Sequence, residues 1–354
     1  MNNSSSPKQM LRLLFWESTI KCNLTCAHCR RIESDETAPR DITTPQAKNL
    51  IEQLSLLGKA QPMMPVLVFS GGEPLCREDL FDLIRYAKSL GIIPALATNG
   101  TLIDSSIASR IHESGVMRVS VSLDGATPEV HNHLRRLEGS FERALEGIRH
   151  LRDKQVPFQI NLTLTKHNAH QLQQVYALAN SLTAAAVHIF MLVPVGCGES
   201  LTETDMLSPE EYEDKMLEIY ELERRGGMQI KVTCGPHYER VVKQQGGTGN
   251  PKSHAKSRGC LAGIGVLFIG HQGDVFPCGY LPVKCGNVLQ DKLAEIWYNN
   301  KDLARMRDSN QLEGKCGLCA YRFACGGCRG RAFAATGNYM AQEPFCAYVP
   351  PQIP

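Results

Sequence analysis

The sequence predicts an α/β fold, in which a partial (β/α)6 barrel is followed by a cysteine-rich C-terminal domain. Between residues 11 and 200, six short apolar segments alternate with longer segments whose apolar residues recur at helical spacing. Short, nearly continuous apolar runs are typical of strands buried on both faces of a parallel sheet. Right-handed crossovers through the helices curl such a sheet toward a barrel, so six units predict a partial barrel.

Helices and strands are assigned from this periodicity and from start and stop signals. The first helix has Thr44 as its N-cap, Pro45 at its first position and Gly58 at its end. The six strands are predicted at 11–16, 65–69, 92–97, 118–123, 159–164 and 187–193. Later helices are predicted at 80–87, 103–114, 141–151 and 172–182. Ligands bind at the carboxyl ends of the strands in such folds, so functional residues should follow the strands.

The rest of the chain completes the predicted domain organisation. The divisions are a polar tail at 1–10, the barrel at 11–200, a bridging segment at 201–258 and the cysteine-rich domain at 259–354. Ser208 to Glu211 form a helix cap with an acidic first turn, and a strand is predicted at 228–233. Residues 244–257 are rich in Gly, Lys and Ser, which predicts a mobile loop or lid.

Composition limits the partners and the compartment. The chain has 354 residues, 43% of them hydrophobic and 21% charged, with a formal net charge of +2. Such a charge favours neither nucleic acid nor a membrane surface. Met1 to Gln9 lack a signal peptide's apolar core, and the apolar run at 187–195 is too short to span a bilayer. We therefore expect a cytoplasmic protein, in which fourteen cysteines indicate metal or redox chemistry rather than disulfides.

Three cysteines follow the first predicted strand at close spacing. Cys22, Cys26 and Cys29 suit the ligands of a [4Fe-4S] cluster whose fourth iron has no protein ligand. Such an iron binds an exogenous molecule, which indicates catalysis rather than electron transfer alone. The alternatives are a zinc site with His28 as its fourth ligand, or buried free thiols.

Small polar motifs follow the next three predicted strands. They are Gly71, Gly72 and Glu73 after the second strand, Asn99 after the third, and Ser122 and Asp124 after the fourth. Glycines let a ligand approach the backbone closely, and the polar groups suit a ribose or a carboxylate. Each motif alone is more typical of a turn than of a binding site. Cys197, in the loop after the sixth strand, is predicted to be a buried thiol.

A second cysteine array occupies the C-terminal domain. Its members are Cys260, Cys278, Cys285, Cys316, Cys319, Cys325, Cys328 and Cys346. Together with the first three cysteines, these are too many thiols for one metal site. Because their spacing also suits zinc, one or two structural zinc sites are the alternative to iron-sulfur clusters.

The first cysteine motif and the motifs after it resemble the radical S-adenosylmethionine (SAM) enzymes, and the C-terminal array resembles their SPASM extension. This resemblance implies that Cys22, Cys26 and Cys29 hold a [4Fe-4S] cluster that binds and cleaves SAM, giving a 5′-deoxyadenosyl radical. It implies SAM contacts from Gly71, Gly72, Glu73, Asn99, Ser122, Asp124 and Arg135. For Arg135, which would meet the SAM carboxylate, the alternative is a solvated surface arginine.

The same resemblance implies one or two auxiliary [4Fe-4S] clusters. The first would be held by Cys316, Cys319, Cys325 and Cys346. The second would be held by Cys260, Cys278 and Cys328, with Cys234, Cys285 or substrate as the fourth ligand. The interval of two residues between Cys325 and Cys328 departs from the usual three, which leaves the ligand set of one cluster open.

Motifs along nearly the whole chain resemble one branch of this family, the heme b synthases of the siroheme-dependent heme pathway. These motifs are Trp16 to Thr19, Arg30, His188 to Phe190, Val193-Pro194, Cys234 to Tyr238, Arg258 to Cys260 and Cys325 to Arg329. The resemblance implies oxidative decarboxylation of two propionates of iron-coproporphyrin III to vinyl groups, giving heme b. It also implies an iron-porphyrin substrate and an electron donor such as flavodoxin or ferredoxin.

An acidic iron porphyrin requires cations and an axial ligand to its iron. The residues predicted for these roles are Arg240, Arg258, Arg329, Arg331, His188, His237 and Tyr280. Other functions stay open: a sister tetrapyrrole enzyme (didecarboxysiroheme deacetylase or heme d1 synthesis protein), a peptide-modifying SPASM enzyme, and a non-enzymatic iron-sulfur carrier. A carrier has no need of the polar motifs after the second to fourth strands.

Overall fold

In a computed structural model, which describes residues 9–31, 40–247 and 258–351, the strands form one sheet. They are β1 (Leu13–Glu17), β2 (Val66–Ser70), β3 (Ile93–Thr98), β4 (Val119–Ser122), β5 (Phe158–Leu164), β6 (Ala186–Met191), β7 (Gln229–Thr233), β8 (Val266–Ile269), β9 (Asp274–Phe276) and β10 (Gly286–Asn287). Their order across the sheet is β10-β9-β8-β1-β2-β3-β4-β5-β6-β7. The pairs from β8 through β1 to β7 are parallel, and β9 and β10 add antiparallel pairs at one edge.

The first eight helices connect the parallel strands, and four more follow β10. They are α1 (Thr44–Lys59), α2 (Leu80–Ser89), α3 (Ser105–Ser114), α4 (Pro128–Arg135), α5 (Ser140–Asp153), α6 (Leu172–Ser181), α7 (Pro209–Arg224), α8 (Tyr238–Gln244), α9 (Leu293–Asn299), α10 (Lys301–Arg307), α11 (Gly314–Leu318) and α12 (Arg329–Thr336). The predicted strand-helix alternation is confirmed, and the six predicted strands differ from β1 to β6 by one or two residues at their ends.

The sheet crosses both predicted domain boundaries. β7, in the predicted bridging segment, pairs parallel with β6, where His188 lies opposite Lys231. β8, in the C-terminal part of the chain, pairs parallel with β1 on its other side. The radical-SAM-like and C-terminal parts are therefore joined through hydrogen bonds to the first strand.

Cap geometry corrects one prediction and confirms another. The N-cap of α1 is Thr43, not Thr44, because the Thr43 backbone N–H donates to Gln46 Oε1 at 2.8 Å. The predicted cap of α7 is confirmed: Ser208 N–H donates to Glu211 Oε2 at 2.7 Å, and Glu211 N–H donates to Ser208 Oγ at 3.2 Å. These reciprocal bonds satisfy backbone donors that the first helical turn leaves without partners.

Two predicted features lie wholly or largely outside the described residues. The polar tail at 1–10 is described only from residue 9, and the predicted loop at 244–257 only as far as residue 247. Within the described ranges, none of the helices has both the length and the apolar character required to cross a membrane.

The main core lies between the helices and alternate residues of the strands. On β1 and β2 these residues are Leu14, Trp16, Leu67 and Phe69, each fully buried with side chains of α1 and α2. Burying one such leucine stabilises the fold by about 2 kcal/mol. The residues between them face the opposite, concave side of the sheet, which leads to the candidate site.

Candidate functional site

The cysteine loop lies at the carboxyl end of β1, where loops from neighbouring strands hold it. In the loop after β2, the Glu73 backbone N–H donates to the Lys21 carbonyl at 2.8 Å. In the loop after β3, Asn99 Nδ2 donates to Asn23 Oδ1 at 2.9 Å. The structure thus brings two of the predicted motifs against the loop that carries the free thiols Cys22, Cys26 and Cys29.

Gly71 and Gly72 allow this close contact of backbones. A Cβ atom on Gly72 would lie 2.3 Å from the Lys21 carbonyl oxygen, and one on Gly71 would lie 2.5 Å from that of Thr19. Gly71 also has a φ of 156°, which L side chains rarely adopt. In this structure it is the backbone of the cysteine loop that lies close to the two glycines. Their contact with SAM stays a prediction.

Glu73 is a buried carboxylate that ties the ends of β2 and β3 together. Its Oε1 accepts from Thr98 Oγ1 at 2.8 Å and from Leu75 N–H at 3.2 Å, and its Oε2 accepts from Asn99 N–H at 2.8 Å. Burial raises the pKa of Glu73 to about 7 even though these hydrogen bonds oppose the shift. Near neutral pH, Glu73 therefore exists in both protonation states.

Asp124 and Arg135 form a buried ion pair beside the cysteine loop. Arg135 Nη2 lies 2.7 Å and His28 Nε2 3.3 Å from Asp124 Oδ2, and Thr163 N–H donates to Asp124 Oδ1 at 2.8 Å. Arg135 Nη1 also donates to Cys26 Sγ at 3.8 Å. Arg135 is only 8% exposed, so it is not a solvated surface arginine. Its predicted partner, the SAM carboxylate, would therefore meet a guanidinium that Asp124 already orients.

The remaining predicted residues of this region have simpler settings. Ser122 is partly buried at the last position of β4, opposite Asn161 of β5. Cys197 was predicted to be a buried thiol, and this is wrong. It is exposed because its loop runs over the surface of the cysteine loop, where Cys197 Sγ donates to the Arg31 carbonyl at 3.0 Å.

The chemistry of the three loop thiols fits a bound iron cluster. Burial raises the pKa of Cys22 to about 12 and also raises that of Cys26. A buried thiol keeps its proton at neutral pH unless a cation stabilises the thiolate, and metal binding supplies that cation. The arrangement of thiols, Arg135 and loop backbone is thus compatible with metal-bound thiolates.

Four C-terminal thiols line one cavity, which we call the four-thiol cavity. They are Cys316, Cys319, Cys325 and Cys346, the set that the sequence groups together. His237, Arg240 and Glu343 line the same cavity. His237 is 1% exposed, and neither of its ring nitrogens has a hydrogen-bond partner among the described residues. An orphaned buried imidazole beside four thiols fits a cavity that holds a polar group such as a cluster.

A second thiol group consists of Cys234, Cys260, Cys278 and Cys328. Burial is the main reason why the pKa of Cys234 is raised. Negative charge on Cys260, Cys278 or Cys328 raises it further, so these three thiols lie within electrostatic range of Cys234. Cys285 lies elsewhere, in the main core, where its Sγ donates to the Val283 carbonyl at 3.5 Å. Of the two protein alternatives for a fourth ligand, the geometry favours Cys234.

Arg331 and Glu343 form a buried ion pair between these two thiol groups. Arg331 Nε lies 2.9 Å from Glu343 Oε1, with side-chain exposures of 0% and 1%. The Glu343 backbone N–H donates to Cys316 Sγ at 3.3 Å, and its Oε2 accepts from Cys328 N–H at 2.6 Å. Arg331 Nη1 donates to the Leu192 carbonyl, after β6, at 3.3 Å. One ion pair thus connects both thiol groups to the barrel.

Most arginines predicted to bind the substrate have protein partners instead. Arg329 donates from Nη1 to the carbonyls of Tyr339 and Ala341 at 2.8 Å each. Arg240 is 2% exposed and donates to Glu213 Oε1 at 2.8 Å. With Arg331 also paired, these side chains stabilise the surroundings of the thiols rather than lining an open substrate site.

Comparison with known proteins agrees with this arrangement. Residues 16–179 match the model of the radical SAM superfamily, and residues 260–321 match an iron-sulfur cluster-binding domain named SPASM. A protein from Methanosarcina barkeri, named AdoMet-dependent heme synthase, is 44% identical over 346 residues, covering 96% of this chain and 97% of its own. The chain belongs to the AdoMet-dependent heme synthase family.

Other comparisons extend this assignment. An AdoMet-dependent heme synthase from Oleidesulfovibrio alaskensis is 41% identical over 350 residues, covering 97% of this chain and 89% of its own. The crystal structure of Streptococcus suis SuiB bound to S-adenosylmethionine has a TM-score of 0.74 at 17% identity, covering 96% of this chain and 78% of that one. This second likeness establishes the fold alone. The predicted fold class, a partial radical SAM barrel with a SPASM domain, is confirmed.

Membership in the AdoMet-dependent heme synthase family also settles the cofactor class. A chain with radical SAM and SPASM regions is a radical SAM enzyme whose cofactors are S-adenosylmethionine and [4Fe-4S] clusters. The sequence patterns gave no role to several residues that organise the site in this member, namely Asn23, Thr163 and Glu343. Isolated polar residues carry no motif, so only their contacts distinguish them from ordinary loop residues.

Proposed function

We propose that this enzyme converts iron-coproporphyrin III to heme b by oxidative decarboxylation of two propionates to vinyl groups. The observation that carries the proposal is the 44% identity to an AdoMet-dependent heme synthase along 96% of the chain. For each propionate, one hydrogen atom, one carbon dioxide molecule and one electron must leave. The departure of the electron is the physical reason why such an enzyme requires an acceptor beside its first cluster.

In this proposal Cys22, Cys26 and Cys29 ligate the first cluster. Together with SAM, that group supplies a 5′-deoxyadenosyl radical able to take the hydrogen atom. Arg135 binds the SAM carboxylate and is oriented by Asp124, while Gly71, Gly72, Glu73 and Asn99 shape the adjoining loops. Ser122, at the end of β4, lies on the same side of the sheet and completes the set of SAM contacts.

The C-terminal thiols hold two auxiliary clusters in this proposal. Cys316, Cys319, Cys325 and Cys346 ligate one, in the four-thiol cavity. Cys260, Cys278 and Cys328 ligate the other, with Cys234 as the fourth ligand. Both thiol groups contact the ion pair of Arg331 and Glu343. This arrangement suits electron transfer, because Arg331 also binds the Leu192 carbonyl and so fixes the C-terminal thiols relative to the barrel.

The domain organisation and partners are part of the same proposal. We assign residues 11–200 to the radical SAM barrel, 201–258 to a bridging segment and 259–354 to the SPASM domain, after a tail at 1–10. Beyond the iron-porphyrin substrate, a reduced flavodoxin or ferredoxin in the cytoplasm would supply the electron that SAM cleavage consumes.

Anaerobic incubation with iron-coproporphyrin III, SAM and a reductant tests this function. Mass analysis should show the substrate converted through a monovinyl intermediate to the divinyl product, with one SAM consumed per propionate. The Cys319→Ala variant should still form 5′-deoxyadenosine but should lose vinyl formation, whereas the exposed Cys197→Ala control should behave as wild type. Turnover of didecarboxysiroheme with iron-coproporphyrin III untouched would instead assign the sister deacetylation.

A further inference from the structure

The concave face of the sheet has two chemically different walls. On β1, β2 and β8 its residues include Phe15, Val68 and Phe268, which lie outside the main core formed with the helices. We call these the apolar wall. On β5, β6 and β7 the residues at the corresponding alternate positions are mostly polar, with Phe190 as an apolar exception; the polar ones include Gln159, Asn161, Thr163, His188, Lys231 and Thr233. We call these the polar wall.

Hydrogen bonds organise the polar wall around His188. Gln159 Nε2 lies 2.9 Å from His188 Nδ1 and donates to Asn161 Oδ1 at 3.1 Å. Arg118, just before β4, donates from Nη1 to Gln159 Oε1 at 3.4 Å. Burial lowers the pKa of His188 to about 3, so its ring is neutral at pH 7. With Nδ1 accepting from Gln159, the single ring proton lies on Nε2 and is available to an acceptor.

Lys231 adds a cation to this wall. It lies opposite His188 in the register of β6 and β7, and solvent still reaches its side chain. In the described part of the chain, no carboxylate forms an ion pair with Lys231 or Arg118. The surrounding sheet nevertheless lowers the pKa of Lys231 by burial, as expected for an amine on a concave surface. Lysine, arginine and an imidazole N–H therefore face one space without an acidic partner.

We propose that Lys231, with His188 and Arg118, binds a propionate carboxylate of the tetrapyrrole substrate. The inference rests on the proposed function, because that substrate combines an apolar ring with peripheral propionates. Within the apolar wall, the half-buried Phe15 is suited to contact the ring. The polar wall supplies the charges of Lys231 and Arg118 and the N–H of His188 to a carboxylate. Lys231 lies two residues before the end of β7, roughly 7 Å below the strand ends, which a propionate and a lysine side chain together span.

Binding of iron-coproporphyrin III, measured by the shift of its Soret band without SAM, tests this site. Lys231→Met should raise Kd about tenfold, because a charge-assisted hydrogen bond is lost. Lys231→Arg should keep Kd within about threefold of wild type, since the cation remains. Lys59→Met, which removes an exposed lysine from the end of α1, should leave Kd unchanged.

The substrate contact can be separated from a purely structural role with a carboxylate-free probe. Iron etioporphyrin in detergent should bind wild type and Lys231→Met equally, and the variant should retain wild-type iron content and circular dichroism. Equal Kd values of wild type and Lys231→Met for iron-coproporphyrin III would overturn this inference while leaving the proposed function intact. If wild type does not bind iron-coproporphyrin III at all, the proposed function fails, and this inference fails with it.

Discussion

The cysteine loop after β1 and the C-terminal thiol groups each contact a buried carboxylate. The pKa of the first carboxylate is raised, whereas the pKa of the second is lowered. Glu73 is fully buried and accepts hydrogen bonds from Thr98, Asn99 and Leu75. Burial raises its pKa to about 7. Glu343 is also buried and pairs with Arg331; burial alone would raise its pKa, but the arginine lowers it.

This difference indicates two ways to position groups of cysteine thiols. Cys22, Cys26 and Cys29 share one short loop, so neighbouring backbone and amide groups suffice to hold them. The C-terminal thiols come from distant parts of the chain, and a buried ion pair joins their backbone segments. Breaking a hydrogen bond costs about 1 kcal/mol, whereas removing one partner of a buried ion pair costs several.

The largest expected effect concerns the independence of the two regions. Changing Cys22, Cys26 and Cys29 together to Ala should abolish 5′-deoxyadenosine formation, while iron remains bound in the C-terminal region. Chromatography of the nucleoside and iron and sulfide analysis measure the two results. Undiminished SAM cleavage would contradict the assignment of the loop. Zinc instead of iron in the C-terminal region, after anaerobic reconstitution, would show that its thiol sites are structural zinc sites.

A second experiment compares the two thiols proposed as the last auxiliary ligand. Cys234→Ser should reduce bound iron by up to about four atoms per chain, because it removes a ligand from the second thiol group. Cys285→Ser is the matched control, since this thiol lies in the main core away from the other cysteines. The reverse pattern, with iron lost only in Cys285→Ser, would show that the ligand set is different.

The ion pair should dominate stability in the C-terminal region. Arg331→Met leaves Glu343 buried without its cation and should lower the free energy of unfolding by about 3–5 kcal/mol. Arg149→Met is the control: its pairs with Glu146 and Asp153 are exposed, and less than about 1 kcal/mol should be lost. Anaerobic urea unfolding measures both. Similar losses in the two variants would mean that the comparison of the two regions is wrong.

The smallest expected effect is a dependence of stability on pH that originates at Glu73. Its folded pKa of about 7 exceeds its ordinary value of 4.5, so the folded state retains a proton that the unfolded chain has released. The stability that depends on this proton is present below about pH 4.5 and is lost as the pH rises through about 7.

Glu73→Gln removes this titration. Without SAM, the difference in unfolding free energy between the variant and wild type should shift in favour of the variant by roughly 2–3 kcal/mol from pH 5 to pH 8. Glu52→Gln, an exposed carboxyl on α1, should show no such shift. A constant difference for Glu73→Gln would show that Glu73 is ionised throughout this range.

These contrasts explain what the sequence could predict. Apolar runs predict the strands β1 to β6, and the predicted bounds agree with the structure to within two residues. Cysteine spacing alone singles out the thiols of the loop after β1. The ion pair of Arg331 with Glu343 depends on a turn after α12 and on packing against β6, so no local pattern indicates it. The choice between Cys234 and Cys285 likewise depends on tertiary packing.

Two further errors have the same origin. Cys197 was expected to be buried because cysteine usually is, but its position follows from a loop that lies across the surface. Arg329 and Arg331 were expected to face a substrate because arginine binds carboxylates. Instead they bind backbone carbonyls and Glu343, since the helix on which they lie packs against the thiol groups.

The pairing of β8 with β1 has a consequence for how the chain matures during synthesis. β1 leads directly into the cysteine loop, yet one of its two hydrogen-bonded neighbours is made of residues 266–269. Until the ribosome has passed that point, β1 is an open edge, and Glu17 lacks its contact with His271. A nascent or truncated chain that ends before β8 thus exposes an unpaired strand next to Cys22, Cys26 and Cys29, which links completion of the chain to protection of its cysteine loop.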